Sequence, residues 1–533
     1  MADTISKTTR ISTQQSISAH NPEYDQAFLT WVKCRDVLKV KNIKDKGVEY
    51  LPKLDGQDDN AYEAYKDRAC PYPAVRRTIN GMSGMVFMKD LVIDGLPEKL
   101  NYIKDDVTFT GIPLIGLSKS AFYETMGLGR VGLLTDHTEK NAPEQRPYIT
   151  MYQAEQIINW RQERQFGKMT TILVVLSEWY NDVDPADPFV INYGEQYRVL
   201  ELVMEDENGN PVSTPRYRHR LYRVELEDDP AHPGEKKAVF YLHQEIWPDR
   251  NGKPLDFIPF VVIGSEAVGW DLQDSPVEDM ADVVLSHYRN SADLENGRHW
   301  CGIPQPYLAG FPEKDEYKIG GNEIWISSNA QATAGMLEFT GQGLTPLENA
   351  MKEKEDKLAI LGMRLLESQK KTAEVAETLR IRMLADVSTL QSVVRTISQG
   401  LTVAVNWAIW WASAAGQEAT VILNLDYDES LLTSQDLLAL TTLWQNDGIS
   451  HLTLYENLQS GEITREGVTF EEELEQIQTE KEERENLNRK MNPQLFDENG
   501  NPIAPPMPVV DPNNPDGNPP PAEGQPVDGN QGA

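Results

Sequence analysis

Ser275-Pro276-Val277-Glu278 and Thr345-Pro346-Leu347-Glu348 are two tetrapeptides with one grammar, and they frame the middle of a chain of 533 residues. Each sets a hydroxyl, then Pro, then Glu three places after the hydroxyl. That is the pattern of a capping box with Pro at the first helical position. A long amphipathic run follows each one. After the first, Met280, Val283, Val284, His287, Ser291 and Leu294 fall on one stripe over residues 276–298, a helix of roughly 35 Å at 1.5 Å per residue. After the second, Leu347, Met351, Leu358, Leu361 and Leu365 point inward, and Glu348, Lys352, Glu355 and Asp356 point outward. Between the runs, Pro304, Pro306, Gly310, Pro312, Gly320 and Gly321 surround the apolar Ile324-Trp325-Ile326, a small loop-and-strand module. Two long helices carrying a β-containing tip suit a protein whose helices line something.

Working outward, a third helix is expected over residues 372–400, with Met383, Leu384, Val387, Leu390, Val394 and Ile397 on a wide apolar face. The break at Ser368-Gln369-Lys370-Lys371 is then a polar, basic joint. Residues 401–415 hold Trp407, Trp410, Trp411 and Asn406, and are shorter than the roughly 20 residues of a membrane span. They are expected to be a buried or interface helix, and no membrane partner follows. Upstream, residues 1–20 carry Ser and Thr without an apolar core, so a disordered arm and no signal peptide are expected. Tyr72, Val75, Ile79, Met82 and Val86 keep helical spacing across Gly81 and Gly84. Residues 115–127 form a helix with Leu117, Ala121, Phe122 and Met126 on one face, and residues 131–134 a strand. Strands follow at 172–176, 197–203, 217–226 and 237–242, with a turn at Glu207-Asn208-Gly209-Asn210, making an antiparallel β unit. Residues 434–444 and 452–458 make a helical pair around Asp447-Gly448, and residues 469–490 a Glu-rich solvated helix. Residues 501–533 hold ten Pro, four acidic residues and no Lys or Arg, the composition of a disordered acidic tail. The fold class is α+β.

The net charge is −33. It opposes any surface that clamps nucleic acid by neutralising phosphates, while a channel through which nucleic acid slides remains compatible; simple solubility is the plainer reading. Cys34, Cys70 and Cys301 make neither a disulfide framework nor a metal pattern.

Gly127-Leu128-Gly129-Arg130-Val131-Gly132 matches the dinucleotide fingerprint by letter. Its context is reversed, with a helix before and a strand after, so a glycine-bearing connection is the reading here. The chain has no phosphate-binding G-x-x-x-x-G-K-[ST] loop and no H-E-x-x-H; His299 and Cys301 stand without a second pair. Ser118, Ser177 and Ser265 lack the G-x-S-x-G elbow. Glu471-Glu472-Glu473 and Asp228-Asp229 read as solvated faces. No catalytic, cofactor-binding or metal-binding residue is assigned, and the chain is expected not to be an enzyme. Lys370 and Lys371 have two readings, a solvated joint and a basic loop facing a polyanion.

Several stretches resemble the portal (head-to-tail connector) proteins of tailed bacteriophages. They are Arg146-Pro147-Tyr148-Ile149-Thr150-Met151-Tyr152-Gln153-Ala154-Glu155-Gln156-Ile157-Ile158-Asn159-Trp160, Cys301-Gly302-Ile303-Pro304-Gln305-Pro306, Leu337-Glu338-Phe339-Thr340-Gly341-Gln342-Gly343-Leu344, and Lys352-Glu353-Lys354-Glu355-Asp356 leading into Leu361-Gly362-Met363-Arg364-Leu365-Leu366. The resemblance spans roughly residues 25–490. It implies a ring, typically of twelve subunits, around a DNA tunnel. The implied layout is a disordered arm (1–24), an α/β wing (25–274), a first stem helix (275–298), a clip (299–344), a second stem helix (345–367), a tunnel loop (368–378), a wing helix with its return segment (379–429), a helical crown (430–490) and a disordered acidic Pro-rich tail (491–533). Gln369, Lys370 and Lys371 would face the DNA channel; Tyr307, Phe311 and Trp325 would contact the adaptor or terminase. Implied partners are further copies of the chain, double-stranded DNA, the terminase that supplies ATP hydrolysis, a major capsid or scaffolding protein and a tail adaptor. The implied location is the capsid portal vertex of a virion assembled in the host cytoplasm. The alternative is another structural virion or adaptor protein with the same helix–tip–helix layout and no DNA channel.

Overall fold

The computed structural model describes residues 17–138, 143–165, 167–184, 187–228, 236–303, 305–312, 317–318, 324–337, 341–362, 376–412, 416–425, 427, 434–460, 463–464 and 468–491. The chain divides into two compact units, Met1–Tyr427 and Asp428–Ala533. Both helices and sheets are extensive, as the α+β reading expects.

The first unit opens with helices α1 (Pro22–Leu38), α2 (Lys41–Asp45), α3 (Asp59–Arg68) and α4 (Ala74–Val86), then a short strand β1 (Val92–Asp94). Asn21 caps α1 by accepting from the Glu23 amide, with Pro22 at the first helical position. Asp58 caps α3 in the same way through the Ala61 amide. Val75, Ile79 and Val86 are buried along α4, which runs unbroken through Gly81 and Gly84. The expected disordered arm is corrected for residues 17–24. The Asn21 amide donates to Ile158 O, its side chain donates to Trp160 O, and the Asn159 side chain donates to Ala19 O, so this segment is laced onto the protein by hydrogen bonds.

Helix α5 (Leu114–Leu128) ends at Gly129, whose φ of 77° is the left-handed cap that suits glycine. Strand β2 (Arg130–His137) follows at once. The glycine cluster is therefore a helix C-cap and turn, in the helix-then-strand order expected. Strands β3 (Pro147–Gln153), β4 (Ile157–Gln165), β5 (Lys168–Asp184), β6 (Asp187–Glu205), β7 (Pro211–Asp228) and β8 (Lys236–Ile246) come next, then the short pair β9 (Asp249–Arg250) and β10 (Lys253–Pro254), and β11 (Phe260–Gly264). Strands β4 to β8 form a five-stranded antiparallel meander in sequence order, and β11-β2-β3 form a second sheet. Arg35 ties α1 to both neighbours: its guanidinium reaches Glu124 at 2.7 and 2.8 Å and Glu155 at 2.8 and 2.9 Å. Bidentate pairs of this kind fix orientation as well as adding energy.

Then come α6 (Glu278–Gly302), β12 (Gln305–Ala309), β13 (Thr333–Leu337), α7 (Leu344–Leu361), α8 (Ala376–Trp411) and β14 (Thr420–Ile422), which pairs with β1. Both expected capping boxes are corrected. Helix α6 starts three residues after Ser275, and neither it nor α7 has a side-chain cap. The Ser275 hydroxyl donates to Gly127 O at 2.8 Å, and accepts only from the Val277 amide at 3.3 Å. A tertiary contact has taken the hydroxyl. Helix α7 begins at Leu344 with Gly343 as its flanking residue, which puts Thr345 inside the first turn. The tip strands lie at 305–309 and 333–337 rather than at Ile324-Trp325-Ile326, which has no regular structure. Leu361, expected inward, is 39% exposed. Leu365 lies outside the described residues.

The expected helix end at Gly400 is also absent: α8 continues through it to Trp411. Gly400 sits against Ile263 of β11, so closely that any Cβ would fall on that side chain. Ser398, Thr402 and Asn406, spaced by four, lie along one side of α8. They serve the backbone of the returning strand: the Leu423 amide donates to Ser398, the Val421 amide to Thr402, and the Ala419 amide to Asn406. Leu390, Val394, Ile397, Leu401, Ala404, Val405 and Ala408 are buried.

In the second unit, α9 (Ser434–Gln445) and α10 (His451–Ser460) flank a turn at Asp447, where φ is 56°. Helix α11 (Phe470–Met491) begins with a true capping box. The Glu472 amide donates to the Thr469 hydroxyl, and the Thr469 amide donates to the Glu472 carboxylate.

Candidate functional site: the helical hairpin and its β tip

Helices α6 and α7 form an antiparallel hairpin. Lys354 donates to Ser286 O at 3.2 Å, His287 Nε2 lies 3.3 Å from Glu355 Oε1, and Arg298 reaches Glu348 at 2.8 Å. At the far end Gly297 allows Leu344 to close in, and Gly341, with φ of 66°, packs near Cys301 and Leu344.

The two helices differ in burial. One side of α6 is covered by the N-terminal helices. Lys33 bridges Glu278 and Asp282 at 3.3 and 2.9 Å, Tyr65 donates to Asp293 at 2.6 Å, and Arg289 donates to Tyr50 O at 2.9 Å. The Ser291 hydroxyl is tied to the Cys70 backbone in both directions. Helix α7 lies outside this base. Its one buried side chain is Leu358, while Ile360 is 61% exposed.

Electrostatics across the hairpin are mixed in sign. His287 is buried, and desolvation lowers its pKa despite the Glu355 carboxylate, so the imidazole is neutral near pH 7. Desolvation, with Arg289 nearby, also lowers the Lys354 pKa.

At the tip, β12 and β13 pair antiparallel, and Tyr307 stands opposite Gly335. The ring covers that glycine closely enough that a Cβ there would press on it. Tyr307 is exposed. Phe311 is half-buried and meets Tyr317 edge to face at 5.5 Å. Trp325 is half-buried and donates its indole N–H to Lys318 O at 2.8 Å. The strand pairing thus brings these three expected contact residues into one module, with only Tyr307 largely open. The residues that sequence reasoning missed are Ile324 and Ile326, 83% and 80% exposed, and Met336 and Leu337 on β13. The signal for the two isoleucines was the apolar triplet Ile324-Trp325-Ile326, which the sequence placed in a loop-and-strand module. A groove of about 580 Å3 at the hairpin end is lined by Trp300, Cys301 and Leu344 among others. Gln369, Lys370 and Lys371 lie outside the described residues.

Among the described residues, no group of three or more His, Cys, Asp or Glu could hold a metal ion, and no helix is long and apolar enough to cross a membrane.

Residues 276–412, from the start of the hairpin to the end of α8, match a family described as Domain of unknown function (DUF4055). No curated protein matches the chain. Among solved structures, a chain of the virion of native gene transfer agent (GTA) particle is similar at 12% identity and a TM-score of 0.36, covering 78% of this chain and 98% of that one. A chain from the neck of empty GTA particle, computed with C6 symmetry, gives 11% and 0.35, covering 77% and 95%. One from the neck of native GTA particle, computed with C12 symmetry, gives 10% and 0.31, covering 72% and 89%. These neighbours are virion and neck components, not enzymes.

Proposed function

We propose that the chain is a structural, ring-forming portal protein at a capsid vertex. It would provide a channel for DNA packaging and ejection and a docking site for terminase and tail or head-completion proteins. The observation that carries this reading is the hairpin itself. Helix α7 lies on α6 with one buried side chain, and the tip holds exposed Ile324, Ile326, Met336 and Leu337. Apolar surface of this extent calls for a partner. Identical subunits repeating one heterologous contact around an axis close into a ring and cover it. The stretches that resemble portal proteins support the same reading.

In this proposal α6 and α7 are the stem and residues 299–344 the clip, with Tyr307, Phe311 and Trp325 toward the adaptor or terminase. Of the expected tunnel loop 368–378, residues 376–378 belong to α8, and residues 368–375 would form the loop. Gln369, Lys370 and Lys371 touch passing DNA through transient, sequence-independent phosphate contacts, for which flexible ammonium stems are suited. The acidic balance of the chain then limits retention of the sliding polymer. A major capsid or scaffolding protein would surround the ring, and assembly would take place in the host cytoplasm.

Mass photometry and negative-stain imaging of the purified full chain test the reading. Closed rings with a central channel are expected, typically twelvefold by the family resemblance. A monomer or dimer throughout the micromolar range would refute it and leave the adaptor alternative. With rings in hand, Lys370→Glu with Lys371→Glu should leave assembly intact and impair DNA packaging. Parental packaging by that variant would return the two lysines to a solvated joint.

A further inference from the structure

A cavity of about 650 Å3 opens between β2 and β3 on one side and β6, β7 and β8 on the other, far in sequence from the hairpin. A second, of about 290 Å3, shares Asp136, Tyr148, Thr150 and Arg198 with it. Phe109, Tyr148, Trp247 and Trp411 supply aromatic walls to the larger one.

Its inner charges do not balance. Glu178 is matched: Arg198 Nε donates to it at 2.7 Å, and Tyr152 and Gln196 add hydrogen bonds at 2.6 and 2.8 Å. Asp136 has no ion pair of its own: Tyr148 hydrogen-bonds to it, and Arg198, whose charge acts on it at longer range, is paired directly with Glu178. The Asp136 carboxylate also accepts from the His137 amide at 2.8 Å, and no Lys or Arg among the described residues lies within salt-bridge distance of it. The ring nitrogen facing it is His219 Nδ1, 3.9 Å away. Burial lowers the His219 pKa, so that imidazole is neutral near pH 7 and adds no positive charge beside the carboxylate. Two polar atoms in the lining are also unmet. His219 is 5% and Trp411 7% exposed, and neither His219 Nδ1 nor Trp411 Nε1 has a hydrogen-bond partner among the described residues. Buried polar atoms in native folds are otherwise almost always paired.

We propose that this cavity binds one organic cation, an alkylammonium or guanidinium group. The cation pairs with Asp136 and donates to His219 Nδ1, while its aliphatic stem packs among Phe109, Tyr148 and Trp247. Phe109 and Trp247 already stack on Arg146 at 4.5 Å and Arg218 at 5.3 Å, so these rings offer the stem an apolar wall rather than a cation-binding face. A carbonyl or hydroxyl next to the stem would accept from Trp411 Nε1, which a basic amino acid in amide form supplies. The same chemistry has two sources, a free amine and a Lys or Arg side chain of a protein segment.

Isothermal titration of the full chain with N-acetyl-arginine amide, N-acetyl-lysine amide, agmatine and N-acetyl-norleucine amide tests this. The cationic probes should bind at least about tenfold more tightly than the neutral norleucine amide. Asp136→Asn should remove that preference. Trp247→Ala, at the half-exposed lip, should weaken every cationic probe and serves if Asp136→Asn fails to fold. Tighter binding of the amides than of agmatine assigns the guest to a protein side chain, and the reverse assigns it to a free amine. Equal binding of neutral and cationic probes would overturn the proposal. So would no binding at concentrations on the order of 10 mM, or undiminished binding of the cationic probes in either variant.

Discussion

Arg130 offers the sharpest test of how this fold handles buried charge. It begins β2, is 2% exposed, and lies with its guanidinium 4.2 Å from the centroid of Trp160 and 5.6 Å from that of Trp270. None of its three side-chain nitrogens has a hydrogen-bond partner among the described residues. Burial pulls its pKa from the ordinary guanidinium value down to about 9, with Glu23 acting in the other direction. That drop corresponds to at most about 5 kcal/mol against the charged form. The two indole faces act the other way, returning about 2 kcal/mol when desolvated. Burial outweighs the stacking, since three unmet donors remain. Methionine has a similar reach, no charge, and sulfur–aromatic contacts of its own. Arg130→Met should therefore stabilise the first unit by about 2 kcal/mol at pH 7, in line with apolar replacement of buried charges elsewhere. In a unit of this size each kcal/mol moves the melting temperature by about 1 °C, so scanning calorimetry should show a rise of roughly 2 °C. The folded pKa lies below the unfolded one, so the penalty is complete below about pH 9 and fades as pH rises above it. The advantage of the variant should narrow accordingly between pH 7 and pH 10. Arg130→Lys, which loses the planar stack, should melt below the parent. A methionine variant that melts clearly lower than the parent at pH 7 would refute the reasoning and mean that the guanidinium is satisfied.

Three further outcomes follow from the packing. Ser275→Ala removes the buried hydroxyl that holds Gly127 O and should cost about 1–2 kcal/mol, whereas Thr345→Ala should change stability by less than about 0.5 kcal/mol; equal losses in thermal melts would contradict the distinction. Gly400→Ala should destabilise by about 1–3 kcal/mol despite the better helix former, because the new methyl meets Ile263. Adding Ile263→Ala should recover part of that loss in a double-mutant cycle, and strict additivity would argue against the clash. Thr469→Ala should cost about 1 kcal/mol at the start of α11, read as faster hydrogen exchange at the Glu472 amide; unchanged exchange there would rule out the cap.

The three hydroxyls show what was legible in the sequence and what was not. Ser275, Thr345 and Thr469 all precede a Glu by three residues, and the first two carry the further local signal of a Pro at the first helical position. Only Thr469 caps its helix. Ser275 is drawn away by a carbonyl 148 positions earlier in the chain, a contact no window of sequence contains. Gly400 misled for a related reason: propensity treats glycine as punctuation, whereas here it marks the close approach of α8 to β11. Periodicity fared better because burial enforces it directly. The strands around 172–176 and 197–203, the helix at 115–127 and the helix–tip–helix layout were all readable from spacing. The candidate site was legible in part. An aromatic tip was visible, but the pairing of Tyr307 with Gly335, and the exposure of Ile324 and Ile326 rather than Trp325, depend on where the two strands register. Asp136, His219 and Trp411 were beyond reach altogether, since they lie on β2, β7 and the end of α8 and meet only in the folded chain. Local rules therefore predict well where water is the only competitor for a group, and fail where a distant backbone or side chain competes for it. Positions at which a strong local signal goes unused are accordingly the places to look for tertiary contacts, and Ser275 and Gly400 both mark one.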